Sequence, residues 1–273
     1  MSDKNDLLAA LRRRTLERND EIDPDGRVYI HKETGQVYHS VTRILGATMP
    51  LENKKALDNW LKRPDSYQSR EMAATRGTAA HNSAEYCLKT AQRLARSTAN
   101  KRNSWKMGED GLYRAPKAVT TWALEKAIAG APRVNWSASG FARGLRGFIL
   151  DHVSAVHAVE FSGYHSLGFA GSCDALVDFG GTGPVICDWK TSGKSLHANM
   201  ESSLIQYRDQ TAAYSMILEE MTGIRAKAGA VVVARRSGEP VCTLLDRNEL
   251  DEAEERFKAR CKQYFVTEPQ EAP

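Results

Sequence analysis

The chain has only five cysteines in 273 residues, and none of them forms a C-x-x-C pair. Cys87, Cys173, Cys187, Cys242 and Cys261 are too scattered for a disulfide framework, a zinc ribbon or a compact iron–sulfur motif, and they read as reduced core residues. No apolar run approaches the roughly 18 residues of a membrane span. The N-terminus carries charges but no apolar signal core, so the expected setting is the cytoplasm, away from membranes. A Walker phosphate loop, a G-x-S-x-G elbow, a Rossmann glycine fingerprint and an internal repeat are missing too, which sets aside the enzyme and solenoid classes they mark. Gly180-Gly181-Thr182-Gly183 is a turn, because no G-K-[ST] follows it.

What the chain does have is enough apolar sequence, 41%, to bury a full core, as one large domain or a core with an insertion. Its net charge of +4 conceals an asymmetry, +10 over residues 1–150 and −6 over residues 151–273. Such a split suits a protein that meets a polyanion with one half and holds cations with the other; solvated charge without a partner is the alternative.

The most informative stretch runs from Leu167 to Lys190. Ala175, Val177 and Phe179 alternate with Asp174, Leu176 and Asp178, which predicts a half-buried strand. A glycine-rich turn follows, and then a second strand, Val185 to Lys190, joined to the first as a hairpin. The period of two puts Asp188 and Lys190 on one face. An aspartate and a lysine at a strand end, opposite Asp174, could hold a hard divalent cation with an ammonium close to the reacting atoms; a surface hairpin with an ion pair is the plainer reading. Asp178 lies four residues from Asp174, about 13 Å along the strand, too far to share an ion.

Residues 1–25 include LLAALRRRTLERN, a short arginine-faced helix that is either a nucleic-acid arm or a frayed terminus. RVYIHKETGQVYHS then predicts a hairpin around Glu33-Thr34-Gly35, with His31 and His39 on its surface. From Ser40, an N-cap, the pattern is helical. His81 and Glu85 share a helix face with Gly77, where a missing side chain admits a close neighbour. His81 is a ligand or a satisfied structural residue, and Arg76 a phosphate contact or a surface charge. Residues 98–116, basic with Trp105 and Tyr113, form a single-strand channel or a surface loop. Helices are predicted over 117–129 and 139–153, and then a strand from Ser154 to Phe161. Glu160 near its end either orients a ligand or is exposed. After Lys190 comes a long helix with Leu204, Tyr207, Thr211, Tyr214 and Leu218 along one stripe. Two further strands and a helix with Leu250, Ala253, Phe257 and Cys261 inward close the chain.

The order of these elements is distinctive: Arg76-Gly77…His81…Glu85 on a helix, Gly171…Asp174 on a strand, Asp188-Trp189-Lys190 on the next, then Gln210…Tyr214 on a helix. It resembles the RecB-type branch of the PD-(D/E)XK nucleases. The segment SVTRILGATMPLENKKALDNWLKR ahead of it is most similar to the mitochondrial genome maintenance exonuclease and related phage and bacterial exonucleases. The resemblance spans roughly residues 37–265. It implies an α/β fold, a small mixed sheet flanked by helices, with an N-terminal helical region. The implied organisation is an arm and hairpin over 1–36, a helical region with the His motif and a DNA passage over 37–153, a nuclease core over 154–266 and a tail over 267–273. It further implies that His81, Asp174, Asp188 and the Trp189 carbonyl hold Mg²⁺ or Mn²⁺ and that Lys190 positions or activates water. Lys190 is then either a neutral base or a fixed positive charge. Gln210 and Tyr214 would hold substrate near the cleavage centre, with Arg76, Tyr207 and Glu85 in support. Several members carry a four-cysteine iron–sulfur clasp; without clustered cysteines, none is expected here. The implied partner is DNA, preferably single-stranded, and the implied activity that of an exonuclease, with a structure-specific endonuclease or a non-catalytic DNA-binding protein as rivals.

Overall fold

Residues 8–12, 15–19, 27–193 and 200–267 are described by the computed structural model; the tail expected over 267–273 lies, beyond Thr267, outside them. Three short strands, β1 (Leu16–Asn19), β2 (Val28–His31) and β3 (Val37–Ser40), form an antiparallel meander. The predicted hairpin around Gly35 is present, with Gly35 at φ 71°. Of the expected arginine-faced helix, the described residues show helix α1 at Ala9–Arg12, and Leu16–Asn19 instead pairs with β2. An isolated helix of that length lacks the bonds to offset its nucleation, whereas a strand edge offers partners at once. His31 is buried rather than exposed, its ring edge-on to Tyr164 at 5.4 Å.

Ser40 caps α2 (Val41–Ala47), its Oγ accepting from the Arg43 amide at 3.0 Å. Pro50 then opens α3 (Leu51–Leu61), and α4 (Ser66–Lys101) is a single helix of 36 residues. A two-stranded hairpin, β4 (Lys106–Met107) and β5 (Tyr113–Arg114), occupies the basic segment with the two aromatics. Helices α5 (Lys117–Ala129) and α6 (Trp136–His152) follow, the second starting three residues earlier than predicted because the Asn135 side chain caps it through the Ala138 amide.

The remaining elements are β6 (Val153–His165), β7 (Phe169–Phe179), β8 (Pro184–Ser192), α7 (Met200–Thr222), β9 (Ala228–Arg235), β10 (Val241–Leu245) and α8 (Arg247–Thr267). The main sheet has the order β1-β2-β3-β7-β8-β9-β10, with β6 antiparallel along β7. Strands β8 and β9 run parallel, with α7 as their crossover, so both end at the same edge.

Helices cover both faces. Residues of α2, α7 and α8 share one apolar cluster with Leu176 and Ile186, and residues of α4, α5 and α6 share another with Ala175, Val177, Val185 and Cys187. β7 and β8 are therefore buried on both sides, where the alternation predicted a half-buried strand. The boundaries at 36/37 and 153/154 fall at the start of β3 and at the α6–β6 junction, and α4 to α6 pack directly on the sheet. Asp209 of α7, buried, accepts from Arg256 and Arg260 of α8 at 3.0 and 2.9 Å, and Arg260 also donates to the Leu45 carbonyl, locking α2, α7 and α8 together.

Candidate active site

One edge of β7 is occupied by β6 along its whole length, and the other is shared. β3 pairs with it at Phe169 and Ala170, and β8 from Ala175 to Asp178. Residues 171–174 face a fork where β3 and β8 part. Asp174 stands at that fork, and its Oδ2 accepts from the Trp189 amide at 2.6 Å, taking the place of a ladder carbonyl. In an extended strand the N–H and C=O of one residue point to the same edge, so the Trp189 carbonyl is directed into the same gap. Gly171 keeps the fork open: a Cβ there would stand 2.7 Å from Cε1 of the Tyr214 ring and 3.2 Å from Val41.

Two charged pairs fill the fork. His81, reaching over from α4, places Nδ1 3.5 Å from Asp174 Oδ1, and Lys190 places Nζ 2.6 Å from Asp188 Oδ2. Gly77, one turn before His81, lets α4 come this close, since a Cβ there would lie 3.3 Å from Thr191 Oγ1. Burial acts against the His81 cation, yet Asp174 more than compensates and raises its pKa. For Asp174 burial acts the other way and is outweighed by His81 and Lys190, so its pKa is lowered. Asp188 is only 3% exposed, and there burial wins, pushing it up to about 6 despite Lys190. Lys190 is raised: burial disfavours its charge, but Asp188 and Asp174 hold the proton on. That direction favours the charged form of the Lys190 side chain beside the two aspartates.

Sequence reasoning left Glu160 undecided. Its neighbours Val159 and Phe161 pair with Ala175 and Cys173, which sets Glu160 opposite Asp174. It holds φ 49°, a left-handed conformation that costs a non-glycine residue about 1–3 kcal/mol. Burial, the charges of Asp174 and Glu85 and a hydrogen bond with Asp174 push its carboxyl to about 8. Strain of this kind inside a strand could have been found in no sequence pattern.

The other expected residues gather on two sides. Gln210 Nε2 donates to Tyr214 Oη at 2.7 Å, and the Tyr207 ring lies 5.2 Å beneath Lys190 Nζ. Glu85 pairs with Lys89 at 2.5 Å. Arg76 rests on the Phe141 ring at 5.1 Å with its Nε buried and unpartnered among the described residues, and a Cβ on Gly193 would be 3.0 Å from its Nη1. Asp178 is held elsewhere, by Arg114 and by buried His157 at 2.8 Å.

A family model for the PD-(D/E)XK nuclease superfamily matches residues 12–273. The chain belongs to that superfamily. Its members are nucleases, which hydrolyse phosphodiester bonds and generally use divalent metal ions such as Mg²⁺. No curated protein matches the chain.

The residues of this nuclease fit such an ion. Among the described residues no three His, Cys, Asp or Glu side chains form a ready-made cluster. Asp188 Oδ2 is nevertheless buried without an aligned hydrogen bond, for Lys190 is close but poorly directed. Oxygen donors from Asp174, Asp188 and the Trp189 carbonyl suit a hard cation, and the His81 imidazole suits Mn²⁺ as well. No described helix is long and apolar enough to cross a membrane.

The raised carboxyl of Glu160 gives a pH prediction for the metal-free nuclease. The folded state keeps a proton that the unfolded chain releases near pH 4.5, so stability falls as pH rises from there towards about 8. Glu160→Gln removes that cost. With chelator present it is expected to be more stable than the native chain by about 1–3 kcal/mol at pH 8, with no difference at pH 4. Urea unfolding at the two pH values checks this, and a native chain that gains stability over that range relative to the variant would contradict it.

Proposed function

We propose that this nuclease is a metal-dependent DNA exonuclease of the RecB type that hydrolyses phosphodiester bonds from single-stranded or frayed ends, and that it serves DNA replication, recombination or repair. The observation that supports this reading is the fork, where Asp174, Glu160 and His81 on one side meet Asp188 and Lys190 on the other. Asp174, Asp188, His81 and the Trp189 carbonyl would hold Mg²⁺ or Mn²⁺. When bound, the ion neutralises phosphate oxygens and makes a water acidic enough to attack at neutral pH.

The protein's own groups do the rest. Lys190, charged and steadied over the Tyr207 ring, orients the attacking oxygen and offsets the charge that develops on the phosphate. Glu160 shares a proton with Asp174 at neutral pH and sits where it can hold or release one beside the reacting water. The Gln210–Tyr214 pair presents a hydroxyl to the substrate phosphate, and Tyr214 keeps its proton because burial raises its pKa well above the ordinary value. Arg76 meets a neighbouring phosphate.

Linear and covalently closed circular single-stranded DNA, incubated side by side with Mg²⁺, Mn²⁺ or chelator, test the assignment. The linear strand is expected to shorten from an end with either metal, the circle to persist, and both to survive in chelator. Cutting of the circle would mark an endonuclease; binding without metal-dependent product would mark a non-catalytic protein.

A further inference from the structure

Trp136, at the start of α6, is 79% exposed, unusual for the residue type with the largest apolar surface to hide. The Arg236 guanidinium lies 5.8 Å from the centre of its ring. The pair is fixed by backbone packing. A Cβ on Gly140 would collide with the Arg236 carbonyl, one on Gly144 would lie 3.0 Å from the Gly238 carbonyl oxygen, and Arg143 donates to the Ser237 carbonyl at 3.1 Å. Helix α6 thus lies directly on the turn after β9.

That turn adjoins the catalytic fork. β8 and β9 end together, with Ser192 in register with Arg235, so Arg236 follows the strand end two residues past Lys190. Phe141 lies five residues from Trp136, about 7.5 Å along the helix. It carries Arg76, which in turn abuts Gly193. Two arginine–aromatic pairs on one helix therefore lead outward from the site: Arg76, half-buried, on the buried Phe141 ring, then Arg236 on Trp136, open to solvent.

We propose that Trp136 and Arg236 form a single-strand subsite of this nuclease, in which the indole stacks a nucleobase and the guanidinium meets its backbone phosphate a few nucleotides from the cleaved bond. An exposed ring beside a cation matches the two chemical faces of a single-stranded nucleotide, whereas a duplex hides its base faces everywhere but at its end. The inference rests on the nuclease reading above, and one set of measurements separates the two.

Fluorescently labelled oligothymidylate of 20 nucleotides is titrated in chelator with the native protein, Trp136→Ala and Trp136→Phe, and its Mg²⁺-dependent degradation is followed in parallel. One base–aromatic stack is worth about 1–3 kcal/mol, so Trp136→Ala is expected to bind about 5- to 100-fold more weakly. Its kcat/KM is expected to fall by a similar factor, with an unchanged thermal midpoint, and Trp136→Phe to recover most of the affinity. Native protein that degrades the oligonucleotide while Trp136→Ala binds it within twofold of native overturns the subsite alone. Native protein that neither binds nor degrades it overturns the nuclease reading as well.

Discussion

Asp188→Asn is expected to abolish metal-dependent cleavage, lowering kcat by at least about 1,000-fold, or roughly 4 kcal/mol of barrier, in a protein that remains folded. The amide keeps the shape of the carboxylate but removes the charge that would hold the cation and that now holds Lys190 at 2.6 Å. Burial pushes the Asp188 carboxyl up to about 6, which limits what its loss costs the metal-free fold, but the buried Lys190 ammonium loses its partner, so the variant is expected to be folded and somewhat less stable. Lys190→Met provides the contrast. It is expected to lose activity to a similar degree yet still bind Mn²⁺ in calorimetry, whereas Asp188→Asn loses both. Cleavage by Asp188→Asn within tenfold of the native rate would remove Asp188 from the proposed machinery.

The largest expected effect on stability lies at the other end of β7. Asp178→Ala is expected to cost about 2–4 kcal/mol, because it strips a buried carboxylate from His157 and from Arg114, which keeps Asp110 and the Leu112 carbonyl. Burial works against the Asp178 carboxylate, but His157 and Arg114 overcome it and lower its pKa. A depressed folded pKa gives stability that is present above the unfolded value near 3.8 and is lost as the pH falls through the folded one. The gap between native protein and Asp178→Asn should therefore be full at pH 7 and shrink in acid below pH 4, as followed by urea unfolding. Whatever folded Asp178→Ala remains should still cleave, since Asp178 touches neither His81 nor Lys190. A cost below about 1 kcal/mol would show the network to be dispensable.

The hairpin of β7 and β8 was legible because its signals are local: alternation, a glycine turn and a D-x-K at a strand end. Asp188 and Lys190 share a face as the period of two requires. Spacing likewise brought Gln210 to Tyr214 on α7. What the sequence hid were relations between distant segments. Glu160 needed the register of β6 on β7 and a left-handed backbone. The role of Asp178 needed Arg114, 64 residues away, to fold back over the sheet. Trp136 carries no motif at all, and only its exposure beside Arg236 sets it apart.

The fork on β7 also sets when the chain becomes competent. Its two sides come from β3, near residue 40, and β8, near residue 188, while His81 arrives from a third place. Such long closures are the slow, late steps of folding, since each forfeits chain entropy before any contact rewards it. A partly synthesised or partly folded chain has the side chains proposed to hold the metal but not their convergence. On the proposed function, cleavage would therefore wait until the sheet is complete.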